Sequence, residues 1–165
     1  MRIRVGTSGF AYKEWKGSFY PEKFKDEGML AYYAERFATV EINNTFYRMP
    51  KPELLEKWAA DTPEHFAFVL KAPQRITHIR KLEDCASDVE YFLNSAESLG
   101  PKRGPILFQL PPWMKKDLGK LDRFTALLPE GTRAAFDFRH ATWFDDETYA
   151  LLKQRNATLA ASETD

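Results

Sequence analysis

The chain of 165 residues has little of what would set it apart from ordinary globular proteins. Its one cysteine, Cys85, cannot form an internal disulfide, which excludes a small scaffold stapled by such bridges. It has no excess of either charge, because 24 Lys and Arg balance 24 Asp and Glu. The broad basic surface of a duplex-binding domain is therefore missing, and no nucleic-acid partner is expected. Long apolar runs are missing too: the longest, Met29 to Ala34, falls far short of the ~20 residues that span a bilayer. No apolar signal segment opens the chain, so no membrane contact is expected and the cytoplasm is the expected address. No Gly- or Ser-rich linker and no internal repeat divides it, so residues 1–165 read as one domain.

What is present is a rhythm. With 44% hydrophobic residues, short apolar runs bounded by turn residues alternate with longer amphipathic stretches, the pattern of repeated βα units. Strands are predicted at 3–7, 39–43, 66–71, 105–110, 133–138 and 157–161. Five helices fill the gaps. The first covers Met29 to Phe37, and the second starts after Pro50 and Pro52 and ends near Ala60. The third begins at Asp84 or Ser87 and stops at Gly100–Pro101. Asp117 caps the fourth, and Asp145, Asp146 and Glu147 set negative charge at the start of the fifth. Strand starts recur about every 31 residues, and eight such units would need roughly 250, the size of a (β/α)₈ barrel. The expected fold is thus α/β, either an open doubly wound sheet or an incomplete TIM-barrel-like fold of about six parallel strands and five helices.

Ligands of such folds meet the C-terminal ends of the strands, and those ends are polar here. Side chains alternate along a strand, which puts Glu41, Asn43, Lys71, Gln109, Asp137 and Arg139 on one face. Thr7 and Ser8 join from strand one and Glu163 from strand six. Two carboxylates and two cations in a partly desolvated ring favour each other's ionised forms, and proton transfer is within their chemistry. The competing interpretation is an ion-pair network that only closes the mouth of the barrel. Past strand three, Arg75, His78, Arg80 and Lys81 add positive charge that would draw a small anion, although singly they suit a solvated loop. His78 and His140 both follow strands, whereas His65 precedes strand three and belongs to the opposite end. Of the loop aromatics, Tyr47 and Trp143 are retained as possible platforms for a ligand.

Glu41, Asp137, His78, His140 and Glu163 would make a mixed nitrogen and oxygen donor set, but no tight metal motif supports one, so no metal site is assigned. Cys85 sits near a helix start without a resolving cysteine and reads as a packing residue. Gly6 and Gly9 fall short of a dinucleotide or P-loop fingerprint, and the cofactor stays unknown.

The chain resembles the YecE-like family, domain of unknown function 72. The matching strings are Gly6, Thr7, Ser8, Gly9, Tyr12 and Trp15, then Phe19, Tyr20 and Pro21. Glu41, Ile42, Asn43, Thr45, Phe46 and Tyr47 follow, with Phe68, Lys71, Pro73, Thr77 and His78. Phe108 to Pro112 and then Phe136, Phe138, Arg139, His140 and Trp143 complete the set. The resemblance implies a TIM barrel, of which this chain would be the N-terminal two-thirds, without the last two βα units. It implies no settled activity. Asp137 stands where the family commonly has Glu, one methylene further back.

Three functions remain open. In the first, the strand ends bind or turn over a small polar ligand, anionic or sugar-like. Lys71, Arg139 and His78 would fix negative charge, Glu41, Lys71 and Asp137 would carry the catalysis, and Asn43 and Gln109 would orient the ligand. In the second, a truncated, non-catalytic product needs a partner, or self-associates, to cover its open sheet edges. The third is a metal-dependent hydrolase or isomerase. The residues do not decide whether the chain is an enzyme.

Overall fold

The computed structural model describes residues 3–162. Its single sheet contains β1 (Gly6–Ser8), β2 (Thr39–Ile42), β3 (Ala67–Lys71), β4 (Arg103–Gln109), β5 (Ala134–Asp137) and β6 (Thr158–Leu159). All neighbours are parallel and the spatial order is the chain order, β1 to β6. A doubly wound sheet reverses its strand order at a switch point, and this one never does. The architecture is that of an incomplete TIM-barrel-like sheet, still open between β6 and β1.

The helices are α1 (Met29–Ala34), α2 (Asn44–Tyr47), α3 (Pro52–Ala60), α4 (Ala86–Ala96), α5 (Leu118–Thr125) and α6 (Asp146–Gln154). Five of them lie where the sequence puts them. The additional one, α2, is a single turn directly after β2, too short to leave a periodic apolar stripe. None of the described helices is long and apolar enough to cross a membrane.

Local chemistry sets several ends. Asp117 Oδ1 accepts the Lys120 N–H at 2.9 Å and so caps α5, and Asp145 Oδ1 does the same for α6 through Thr148 N–H at 3.0 Å. At the start of α4 neither Asp84 nor Ser87 serves. Cys85 occupies the cap position without a side-chain bond, and its buried thiol is pushed up to about 11, chiefly by desolvation. The end of α3 is closed by a residue distant in sequence: Lys102 Nζ donates to the carbonyls of Ala59 at 2.5 Å and Thr62 at 2.6 Å.

Two rows of side chains leave the sheet. Val40, Ile42, Phe68, Leu70, Ile106, Phe108 and Phe136 face the helices and are at most 3% exposed. Phe108 stacks on Phe136, Phe136 on Phe138, and Phe138 on Trp143 at 4.5 Å between ring centres. The opposite row lines the concave face and, apart from the buried Asp137, is only half-buried.

Between β3 and β4 the register slips, with Phe68 opposite Arg103 but Leu70 opposite Ile106. The extra residue makes a bulge that holds Gly104 and Pro105, where a missing side chain and a missing N–H are tolerated. A Cβ on Gly104 would lie 2.4 Å from the Phe68 carbonyl oxygen. Gly104→Ala therefore forces the strands apart and should cost about 1–3 kcal/mol, read by denaturant unfolding; an unchanged midpoint would show that the strands part freely.

Asp145 gives a second test. A hydrogen bond from Lys116, then one from the Thr148 backbone, holds its carboxyl down at about 2. Its contribution to stability is complete above the unfolded value near ~3.9 and is lost as pH falls through about 2. Between pH 5 and 2 the melting temperature should drop further in the unaltered chain than in Asp145→Asn. Equal slopes would refute the assignment.

Candidate functional site

A cavity of about 710 Å³ occupies the concave face at the C-terminal ends of the strands. Its floor is apolar: Val69 of β3, Pro105 and Leu107 of β4, and Ala135 of β5. Its rim is polar, with Ser8, Glu41, Asn43, Lys71, Gln109, Asp137 and Arg139, each from a strand end or the residues just past it. Six of these are the positions that side-chain alternation selects from the sequence, and the seventh, Ser8, is one of the two residues it offered from strand one. Phe46 and Tyr47 of α2 form a wall beside them.

On the β1–β2 side the polar groups form a short relay. Asn43 Nδ2 donates to Ser8 Oγ at 2.5 Å, and Ser8 Oγ donates to Glu41 Oε1 at 3.1 Å. On the β4–β5 side Asp137 is only 4% exposed and accepts four hydrogen bonds. Its Oδ2 takes Gln109 Nε2 at 3.0 Å, Arg139 Nη2 at 2.7 Å and Arg139 Nε at 3.1 Å, while Oδ1 takes Ser162 Oγ at 2.9 Å. A carboxylate so fully engaged orients its partners. Glu41 is the carboxylate with free accepting capacity.

Lys71 stands between these two groups. Among the described residues it has no carboxylate within ion-pair distance, and its Nζ lies 4.9 Å from the Phe46 ring centre. Burial lowers its pKa; Glu41 and Asp137 pull the other way, and Arg139 adds to the lowering. The Lys71 backbone is fixed by Thr45, whose hydroxyl donates to the Lys71 carbonyl at 2.6 Å and so ties β3 to α2.

Four residues named from the sequence lie elsewhere. Thr7 points to the opposite face from Ser8, where its N–H donates to the Tyr33 hydroxyl at 2.7 Å and its own hydroxyl to the Gly9 carbonyl at 2.6 Å. Trp143 is fully buried, stacked on Phe138, with Nε1 donating to the Met114 carbonyl at 2.8 Å. His140 turns its Nδ1 to Thr142, accepting the backbone N–H at 3.2 Å at the head of a 3₁₀ turn. His78 sits behind the wall, edge-on to Phe46 at 4.9 Å, within a π-helical turn, Arg75–Ile79. Burial, then the charge on Lys71, lowers its pKa, which favours the neutral ring. Glu163 lies outside the described residues. His65 is exposed ahead of β3, at the other end of the sheet.

Ser162 and Phe46 are members that sequence reasoning passed over. Ser162 follows a two-residue strand too short to set a face, and Phe46 belongs to the unexpected α2. An aromatic pair directly after the polar end of β2 was the available signal for the second. Among the described residues no group of three or more His, Cys, Asp or Glu side chains is placed to hold a metal ion.

The comparisons with known proteins bear on what this rim belongs to. The model of the family described as "Protein of unknown function DUF72" matches residues 4–165. UPF0759 protein YunF of Bacillus subtilis is 32% identical over 155 residues, covering 89% of this chain and 54% of YunF. UPF0759 protein YecE of Escherichia coli is 34% identical over 116 residues, covering 70% of this chain and 43% of YecE. The chain spans about half the length of these curated relatives. A solved DUF72 family protein of Thermotoga maritima superposes with a TM-score of 0.83 at 32% identity, over 94% of this chain and 63% of that one. A DUF72 family protein of Enterococcus faecalis gives 0.79 at 20% identity over 96% and 60%, a likeness of fold alone. With its motifs, its strand order and the family match over nearly its whole length in agreement, the chain belongs to the DUF72 family, the YecE-like proteins.

Proposed function

We propose that the strand-end cavity binds a small polar ligand carrying negative charge, a carboxylate or phosphate class of molecule. The observation that supports this best is the unequal pairing of its two cations. Arg139 is anchored by Asp137 through Nε and one Nη2 hydrogen, which leaves three of its five N–H donors for a ligand. Lys71 has no anionic partner at ion-pair distance among the described residues, over a floor of Val69, Leu107 and Ala135. A half-buried cation without a counter-ion is stabilised by an anion that brings one. Asn43 and Gln109 supply neutral donors at either side for orientation, and Glu41 is the group that moves a proton if the ligand is turned over. Asp137 is a positioning residue for Arg139.

Thermal unfolding with added oxalate, inorganic phosphate or glucose tests this. Oxalate or phosphate at 100 times its Kd should stabilise the chain by about 2.7 kcal/mol, a rise of several degrees, and glucose should not. Arg139→Lys keeps the charge but loses the planar fork, and should cut the stabilisation severalfold; Lys71→Ala should do the same. Stabilisation by glucose alone, or anion shifts unaltered in both variants, would overturn the proposal.

A further inference from the structure

We propose that Lys71 is a covalent amine that condenses with the carbonyl carbon of a small 2-oxo acid whose carboxylate is held by Arg139. The inference rests on the anion-binding reading of the same cavity and names its substrate class.

The two cations differ in what they can do. A guanidinium does not give up its proton, and Arg139 is fixed by two hydrogen bonds to Asp137, so it can only hold charge. Lys71 is the opposite case: an amine on a flexible stem, half-buried, with no hydrogen bond or ion pair to hold it among the described residues. It rises from β3 beside Val69, in register with Leu107, under the ring of Phe46. The Phe46 ring face, Glu41 and Asp137 favour the ammonium, but burial outweighs them and Arg139 adds to it, so the neutral, nucleophilic amine is easier to reach than on a solvated lysine. Structural lysines are normally tied to a carboxylate. Among the described residues two carboxylates lie on the same rim, and each is engaged with a different partner: Glu41 with Ser8, Asp137 with Gln109, Arg139 and Ser162.

The chemistry closes without a further reactant. Glu41, beyond ion-pair distance of Nζ, takes one proton from the Lys71 ammonium through one bridging water. The freed Nζ lone pair forms the C–N bond while the carbonyl π pair moves to oxygen, which is protonated from nitrogen to give a carbinolamine. Glu41 returns its proton to that hydroxyl, which leaves as water as the nitrogen lone pair closes the C=N bond. Overall, ammonium and carbonyl become a protonated imine and water, with nothing oxidised or reduced. A 2-oxo acid fits because its carboxylate and carbonyl are adjacent, so one small molecule meets Arg139 and Lys71 at once within one cavity.

The test is reductive trapping of the full chain with pyruvate and sodium cyanoborohydride, followed by peptide mass mapping. A carboxyethyl adduct should form at Lys71 roughly tenfold or more faster than at any other lysine, because a bound and oriented carbonyl has a raised effective concentration. The rate should saturate with pyruvate and fall when oxalate competes. Lys71→Arg, which keeps the positive charge, should retain stabilisation by oxalate and lose the fast adduct. Labelling spread over exposed lysines with no excess at Lys71, while oxalate still stabilises the chain, would overturn the covalent role and leave anion binding standing. Loss of both the adduct and the oxalate shift would overturn both.

Discussion

Everything in this molecule depends on a two-residue alternation kept in step across six parallel strands. Val40, Phe68, Leu70, Ile106, Phe108 and Phe136 point one way and are sealed under the helices. Glu41, Val69, Lys71, Leu107, Gln109 and Asp137 point the other way and make the cavity. The pairing of Glu41 with Val69, and of Gln109 with Asp137, fixes which polar groups become neighbours. A slip of one residue in any strand would exchange the two sets, burying charge under the helices and turning phenyl rings to the cavity. Packing of the apolar layer is therefore what holds the rim in register.

That dependence explains how much could be read without coordinates. Strand identity and the rim residues on β2 to β5 follow from period and parity, both written plainly in runs such as Ala67–Lys71 and Ala134–Asp137, whereas strand order did not, since spacing suits a doubly wound sheet equally well. The cap at Asp117 was legible because one side chain and one N–H decide it, while Asp145 was legible only as one of three negative charges at the start of α6. Thr7 shows the limit: β1 is three residues long, and a single step separates the hydroxyl that meets Tyr33 from the one that meets Glu41. His78, His140 and Trp143 lie beyond strand ends, where no alternation applies and the loop path decides. Trp143 went into the core because its indole found both a ring to stack on and a carbonyl to bond, partners 5 and 29 positions away. The bulge at Gly104 and the lysine cap on α3 were equally hidden, since each joins segments distant in sequence.

Charge at the rim is organised by saturation as much as by sign. Asp137 is buried and accepts four hydrogen bonds, so it stays a fixed point around which Gln109, Arg139 and Ser162 are arranged. Glu41 is held by one hydroxyl only and keeps free acceptor capacity. The short Asp137 side chain keeps its carboxylate close to the strand, where it meets Arg139, two residues along, in a tight local pair. The difference between a saturated carboxylate and one with acceptor capacity to spare thus follows from side-chain length and burial.

Tyr47 borders two spaces at once, the rim cavity and an apolar groove of about 610 Å³ that runs past Met49 and Leu54 to Trp58. Its ring is 74% exposed and stands edge-on to Phe46. A partition made from one solvent-facing phenol moves on the picosecond-to-nanosecond scale of rotamer exchange, far faster than any strand or helix. The width of the opening between the two spaces is consequently set by a hinge of two torsion angles rather than by the scaffold.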